Sequence, residues 1–268
     1  MDLQVLVASM NQQDFSLVDE MNIQTDAIIA NQTAQNGFDK KVYDFGQVMM
    51  ISTQTRGVGL NRNVALLASE ADILLFSDDD MCYYDGALTG VKKAFSRNPS
   101  ADVIIFSVDI TQNGQIVERR YGRNRRAHIW NTMKFGTYAI AIRRKSLIKA
   151  NLKFHESFGG GCPFSCGEDS LFIKTCFDRS LKVYTNEYVL GSRSKDSSSW
   201  FSGYTKKYVY DKGVLLSFLF PRLKYLLAVY YSYRLKNKAS FSFEKTMKLM
   251  ITGIKNAGNM ETYAEHFK

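Results

Sequence analysis

The chain has 268 residues, 45% of them hydrophobic, and a formal net charge of +9. The apolar share excludes a disordered chain, while three prolines and no low-complexity tract or internal repeat exclude a long flexible linker or a solenoid. Residues 1–202 hold 23 Lys/Arg against 22 Asp/Glu, whereas residues 203–268 hold 12 against 4. A basic, aromatic-rich end of this kind suits an anionic surface, phospholipid or nucleic acid. The four cysteines, Cys82, Cys162, Cys166 and Cys176, lack zinc-knuckle spacing and read as free thiols of a reducing compartment.

The opening Met-Asp-Leu-Gln-Val-Leu-Val has neither the basic leader nor the apolar stretch of a signal peptide. Leu3 to Ala8 reads as a buried strand, followed by similar runs at Ala27–Ala30 and Val48–Ile51. Asn61 through Ala71 places Val64, Leu67, Ala68 and Ala71 at helical spacing. Ile73–Phe76 is a fourth buried strand and runs straight into Asp78-Asp79-Asp80. Leu88–Phe95 suggests a helix, and Val103–Val108 a strand. Asn113-Gly114 marks a turn into Ile116-Val117. Tyr138–Ile142 is strand-like, and Glu168–Phe177 fits a helix. Strand and helix alternate as in a mostly parallel, doubly wound α/β sheet with helices on both faces.

The end of the chain reads differently. Val214–Phe220 and Tyr225–Tyr231 are apolar, but Pro221, Arg222 and Lys224 interrupt them. A spanning helix needs about 20 apolar residues, and a central charge costs roughly 2.5–3.5 kcal/mol on insertion scales. An interfacial helical hairpin and a pair of helices docked on the catalytic domain or a second subunit both remain open. The expected division is a catalytic domain over about 1–200, its donor half reaching about 110 and its acceptor half covering 111–200. A basic, aromatic helical tail follows over 201–268.

Three consecutive carboxylates repel one another unless a cation neutralises them. After a buried strand they should lie at its C-terminal end, where open α/β sheets bind ligands, and a divalent cation carrying a diphosphate suits them. The run from Asn61-Arg62-Asn63 to Ser77-Asp78-Asp79-Asp80-Met81 resembles the family-2 glycosyltransferases of bacterial surface-polysaccharide synthesis. The opening Val5–Asn11 resembles that family's nucleotide-contacting strand and loop, and Gly167-Glu168-Asp169 its later acidic pair. The resemblance covers about residues 1–195.

What it implies is an inverting enzyme of the GT-A fold that moves a hexose from a UDP-sugar. Asp78 would contact the nucleoside side of the donor, and Asp80 would hold Mn²⁺ or Mg²⁺ on the diphosphate. The triplet aligns in two registers, so Asp79 joins the donor set with Ser9, Asn11, Asn31 and Arg62. Asp169 is the expected base, taking the acceptor hydroxyl proton, with Glu168 orienting the acceptor or the helix end. Gly159-Gly160-Gly161 reads as a mobile loop for acceptor access or donor closure.

The sequence also departs from the family. Val189–Ser194 carries no histidine where many relatives place a metal ligand, so Asp196 or a serine could serve instead. The Gln-x-x-Arg-Trp pattern of processive members is missing, and Ser199-Trp200-Phe201 does not replace it, which favours single additions. Among the clustered arginines 119, 120, 123, 125 and 126, Arg123 and Arg126, with Trp130 nearby, are the acceptor candidates, suited to a lipid-linked diphosphate and a sugar ring. The expected setting is the cytoplasmic face of the cell membrane, with a homo-oligomer open. A nucleotidyltransferase would need a Gly-rich phosphate loop after its first strand, which Ser9–Gln13 is not. A nucleic-acid-binding protein would need a recognisable module, and none occurs.

Overall fold

The computed structural model describes residues 1–195, 203–235 and 241–268. In chain order the strands are β1 (Leu3–Met10), β2 (Ala27–Gln32), β3 (Gly37–Tyr43), β4 (Gly46–Thr53), β5 (Ile73–Asp78), β6 (Met81–Tyr83), β7 (Val103–Gln112), β8 (Gln115–Arg120), β9 (Arg125–Arg126), β10 (Ile140–Arg143) and β11 (Val183–Ser194). The helices are α1 (Ser16–Glu20), α2 (Val58–Ala68), α3 (Ala87–Arg97), α4 (Arg144–Lys149), α5 (Glu168–Asp178), α6 (Lys206–Leu219), α7 (Lys224–Leu235), α8 (Phe243–Asn256) and α9 (Tyr263–His266).

Among the described residues the strands join into one sheet, ordered β3-β4-β2-β1-β5-β10-β7-β11-β6, with β8 on β7 and β9 on β11. The expected parallel block is β4-β2-β1-β5, and β7 pairs with β11 in parallel. Antiparallel β10 joins the two halves, pairing with both β5 and β7. Ile73 to Phe76 and Val103 to Phe106 are almost wholly buried, and burying each such side chain contributes about 1.5–3 kcal/mol. The Asn113-Gly114 turn closes a β7–β8 hairpin, with both residues at positive φ.

Helix α2 is displaced from its expected span for local reasons. It begins at Val58, whose amide donates to the Gly160 carbonyl, and ends at Ala68, where the Ser69 hydroxyl donates back to the Leu66 carbonyl. A β-carbon on Gly59 would stand 2.4 Å from the His155 carbonyl oxygen, so only glycine lets this first turn lie against the 155–161 loop.

Helix α6 is docked rather than appended. Tyr210, Val214, Leu215 and Leu219 form one buried cluster with Phe158, Phe164 and Leu171. Asp211, fully buried, accepts from both the backbone and hydroxyl of Ser165, at 2.9 and 2.7 Å, and pairs with Lys207. Helix α8 packs on α6 closely enough that Gly213 and Gly253 face opposing backbone. Helix α7 differs, for it buries Ala228, Ser232 and Leu235 but leaves Leu226, Val229, Tyr230 and Tyr233 exposed. Among the described residues no helix is long and apolar enough to cross a membrane. The expected boundary near residue 200 and the suggested ligand Asp196 lie outside the described residues, as does Ser199-Trp200-Phe201.

Candidate active site

Two face-matching rules bring the acidic motifs together. Phe76 and Asp78 are two apart on β5 and share one face of the sheet; Glu168 and Phe172 are four apart on α5 and share one side of the helix. Phe172 packs edge-on against Phe76 at 5.4 Å between centroids and stacks on Phe154 at 4.3 Å. That contact sets Glu168 opposite Asp78. Gly167, at φ 117°, makes the turn into α5, and Leu215 of α6 lies so close that a β-carbon there would stand 2.5 Å from it.

Arg62 of α2 lies between the two motifs. Its guanidinium donates to Asp78 at 2.6 Å and to Glu168 at 3.0 Å, and it lies 5.4 Å from the centre of the Phe154 ring. Burial works against this cation, but the two carboxylates more than offset it and hold the pKa above its ordinary value. The neighbouring Asn61 and Asn63 fix α2 itself. Asn61 donates to the carbonyls of Ser9 and Ala30, and Asn63 exchanges two hydrogen bonds with the Phe154 backbone.

A second guanidinium serves the other end of the triplet. Arg193 Nε lies 2.8 and 2.7 Å from the two oxygens of Asp80, and the Arg193 fork rests over the Tyr138 ring at 4.7 Å. The acidic charges are therefore balanced within the chain at both ends. Burial pushes the Asp80 carboxyl up, with Arg193 opposing. Asp79, the most solvent-open of the three, is pushed up to about 6 by partial desolvation and by the charges of its two neighbours.

These groups share one cleft of about 760 Å³. Its floor is Asp78, Asp79 and Asp80, one wall is Glu168 and Asp169, and Gly136–Tyr138, Ser165, Gly203 and Tyr208 complete the rim. Burial, then the adjacent Glu168 charge, raises the Asp169 carboxyl to about 7. Asp169 accepts from the Ser170 amide and hydroxyl at 2.5 and 3.2 Å, which orients it. Glu168 holds Arg62 with one oxygen and the Gly167 amide with the other.

The remaining expected residues divide. Ser9 lies near the end of β1 with its hydroxyl buried and unpaired among the described residues. Asn11, at φ 57°, borders a smaller cleft of about 330 Å³ with Gln32, Thr55 and Gly161. Asn31 gives its amide group to the Gln12 backbone and to Ser52, so it shapes the loop after β1 instead of offering a free contact. Gly160 lines the main cleft, and its loop is tied down through Val58 and a Gly159–Phe164 hydrogen bond. The acceptor candidates lie apart from this cleft. Arg123, Arg126 and Trp130 are not among the walls of this cleft. Arg126 is on β9, which pairs with the start of β11, in a separate groove with Lys93, Arg97 and Arg125, and Trp130 stacks on Phe220 at 5.6 Å. Their proximity in sequence to the hairpin did not carry them over the sheet edge. Arg193 and Tyr208 join the site without a local signal in the sequence: Arg193 lies in a stretch notable only for lacking histidine, and Tyr208 in the basic, aromatic end of the chain.

A family model described as glycosyl transferase family 2 matches residues 16–155, just over half of the chain. A search of curated proteins returns no match. Among solved structures, S. aureus TarS 1-349 in complex with UDP-GlcNAc is 15% identical, with a TM-score of 0.64 over 97% of this chain and 80% of that one. The same fragment in complex with UDP gives 13% and 0.59 over 97% and 72%. S. aureus TarS over its longer crystallised length gives 12% and 0.58 over 100% and 45%. At these identities the likeness is one of fold.

Proposed function

We propose, from the premise that the chain belongs to glycosyl transferase family 2 and has the GT-A fold, that it moves a hexose from a UDP-sugar to a lipid-linked glycan acceptor, one unit per encounter and with inversion. The observation that carries the reading is the single cleft in which Asp78–Asp80 at the end of β5 face Asp169 at the start of α5. UDP is favoured because the similar TarS structures hold UDP-GlcNAc and UDP.

Asp169 would accept the proton of the attacking hydroxyl, and its elevated pKa suits that task near neutrality. Asp78, fixed by Arg62, would face the nucleoside, with Asp79, Ser9 and Asn11 nearby. The acceptor would approach from the rim formed by Tyr138, Ser165 and Tyr208. Asp80 presents hard carboxylate oxygens, while the described residues hold no group of three or more His, Cys, Asp or Glu able to bind an ion. Such a donor set fits Mg²⁺ or Mn²⁺ that is completed by substrate phosphates instead of a protein cage. Bound there, the ion would neutralise the departing diphosphate.

UDP with Mn²⁺ should raise the melting temperature more than UDP, Mn²⁺ or other nucleoside diphosphates alone. At a hundred times the dissociation constant the linkage amounts to about 2.7 kcal/mol, or several degrees for a chain of this size. A melting curve indifferent to every nucleotide would overturn the donor assignment.

The exposed face of α7 would place the enzyme on the inner face of the membrane. Leu226, Val229, Tyr230 and Tyr233 lie on its outer side, with Arg222, Lys224 and Arg234 beside them. Co-sedimentation with vesicles containing anionic lipid should weaken as salt rises and fall further when Leu226 and Tyr230 are both replaced by Ser. Equal pelleting of this variant and the parent would remove α7 from the account.

A further inference from the structure

We infer that Arg193 is a diphosphate-binding residue, resting on Asp80 while the cleft is empty and moving to the donor phosphates when a divalent cation takes its place. The inference rests on the reading of Asp80 given above. Its geometry starts from the backbone. Strand β6 begins at Met81, immediately after the acidic triplet, and Arg193 pairs in register with Met81. The ladder therefore sets the backbone of Arg193 beside the residue that follows Asp80, within reach of its carboxylate. There it covers both carboxylate oxygens at 2.8 and 2.7 Å, stays 3.9 Å from Asp78, and keeps a quarter of its side chain exposed to the cleft.

A cation binding Asp80 needs at least one of those oxygens, so the two positive groups compete. Arg193 can yield only if its own charge is received elsewhere. The anion that enters the cleft with the ion is the donor diphosphate, whose oxygens match the guanidinium fork. The stack on Tyr138 gives the displaced head a surface to slide along within the same cleft. The exchange breaks one charge-assisted contact and makes another. It also couples the ligands: metal alone must displace Arg193 with nothing to receive it, whereas metal with nucleotide need not. By linkage the same coupling acts on both ligands.

Mn²⁺ binding followed by electron paramagnetic resonance, with and without UDP, tests this. Removal of Arg193 by Arg193→Ala, or by the longer Arg193→Gln should the first fold poorly, is expected to tighten Mn²⁺ binding in the absence of nucleotide about tenfold. The same variants should weaken UDP binding at saturating Mn²⁺ about tenfold. Direct contact between phosphate and metal couples the two ligands in any such site, but it does not tighten binding of the metal alone. Lys195→Ala, an equal loss of charge on an exposed neighbour, should shift Mn²⁺ affinity far less. Variants of Arg193 matching the parent in both affinities, or a Lys195→Ala shift as large as theirs, would overturn the inference while leaving the metal on Asp80. A parent protein that takes up no Mn²⁺ even with UDP would overturn both.

Discussion

Asp169→Asn is expected to lower sugar transfer by about 10²- to 10⁴-fold, the range for loss of a general base, while donor binding persists and the protein melts at a higher temperature. The two effects share one cause. Asp169 is partly buried next to Glu168, and its carboxyl is raised to about 7. The ionised form is therefore disfavoured in the folded protein, yet it is the form the reaction requires. Asparagine keeps the acceptor oxygen for the Ser170 amide and hydroxyl, so the turn into α5 is undisturbed.

The pH dependence follows with a definite sign. In the parent enzyme activity should rise with pH up to about 7 and level off above it, as the base loses its proton. Stability runs the other way for this group. Between the ordinary carboxylate value of 3.8 and about 7 the folded state holds a proton that the unfolded chain has released. The stabilising proton is present at low pH and lost as pH rises through the folded pKa. The melting advantage of Asp169→Asn should consequently grow between about pH 4 and 7 and stay constant beyond. Transfer at parental rates, or a melting difference independent of pH, would remove Asp169 from the role of base.

The parts of this site that could be read beforehand were those written in contiguous residues. The buried run Ile73–Phe76 leading into the aspartates, the amphipathic start of α5 and the turn at Asn113-Gly114 each carry their own local signal, and each forms the expected element. Strand β3 carries none, for Gly37–Val42 is exposed on both faces and its Lys40-Lys41 pair protects a sheet edge. Arg193 was hidden for another reason. Its value depends on the pairing of β11 with β6, over a hundred residues earlier, and no periodicity reports such a register. The two readings of the tail stayed open for the same reason. Apolar residues of α6 and α7 look alike in sequence, but Gly167 and Gly213 allow α6 to sink against the catalytic domain and α8, while α7 remains at the surface. Asn31 shows the converse, a polar residue near the expected nucleotide whose amide is engaged in shaping a loop.

Arg62→Met should be the most destabilising single change in the cleft, costing about 3–5 kcal/mol, the range for removing one partner of a buried ion pair. Arg62 is 5% exposed and joins Asp78 on β5 to Glu168 on α5, residues separated by 90 positions in the chain. Methionine fills much of the volume but leaves two carboxylates facing each other, both largely shielded from solvent. Arg62→Lys should fall between the two, because one ammonium lacks the fork that reaches both partners at once. The decisive comparison is with Arg62→Met/Asp78→Asn/Glu168→Gln, followed by urea unfolding. Removing the charges with the cation should return most of the lost midpoint, since the cost lies in unpaired charge and not in packing. Transfer should not return with it, because Asp78 and the aim of the α5 end are then altered. If Arg62→Met unfolded at the parental urea concentration, or if the triple variant were no better than the single one, the acidic motifs would be held together by the Phe76–Phe172 contact alone, and Arg62 would be free to act on the nucleotide directly.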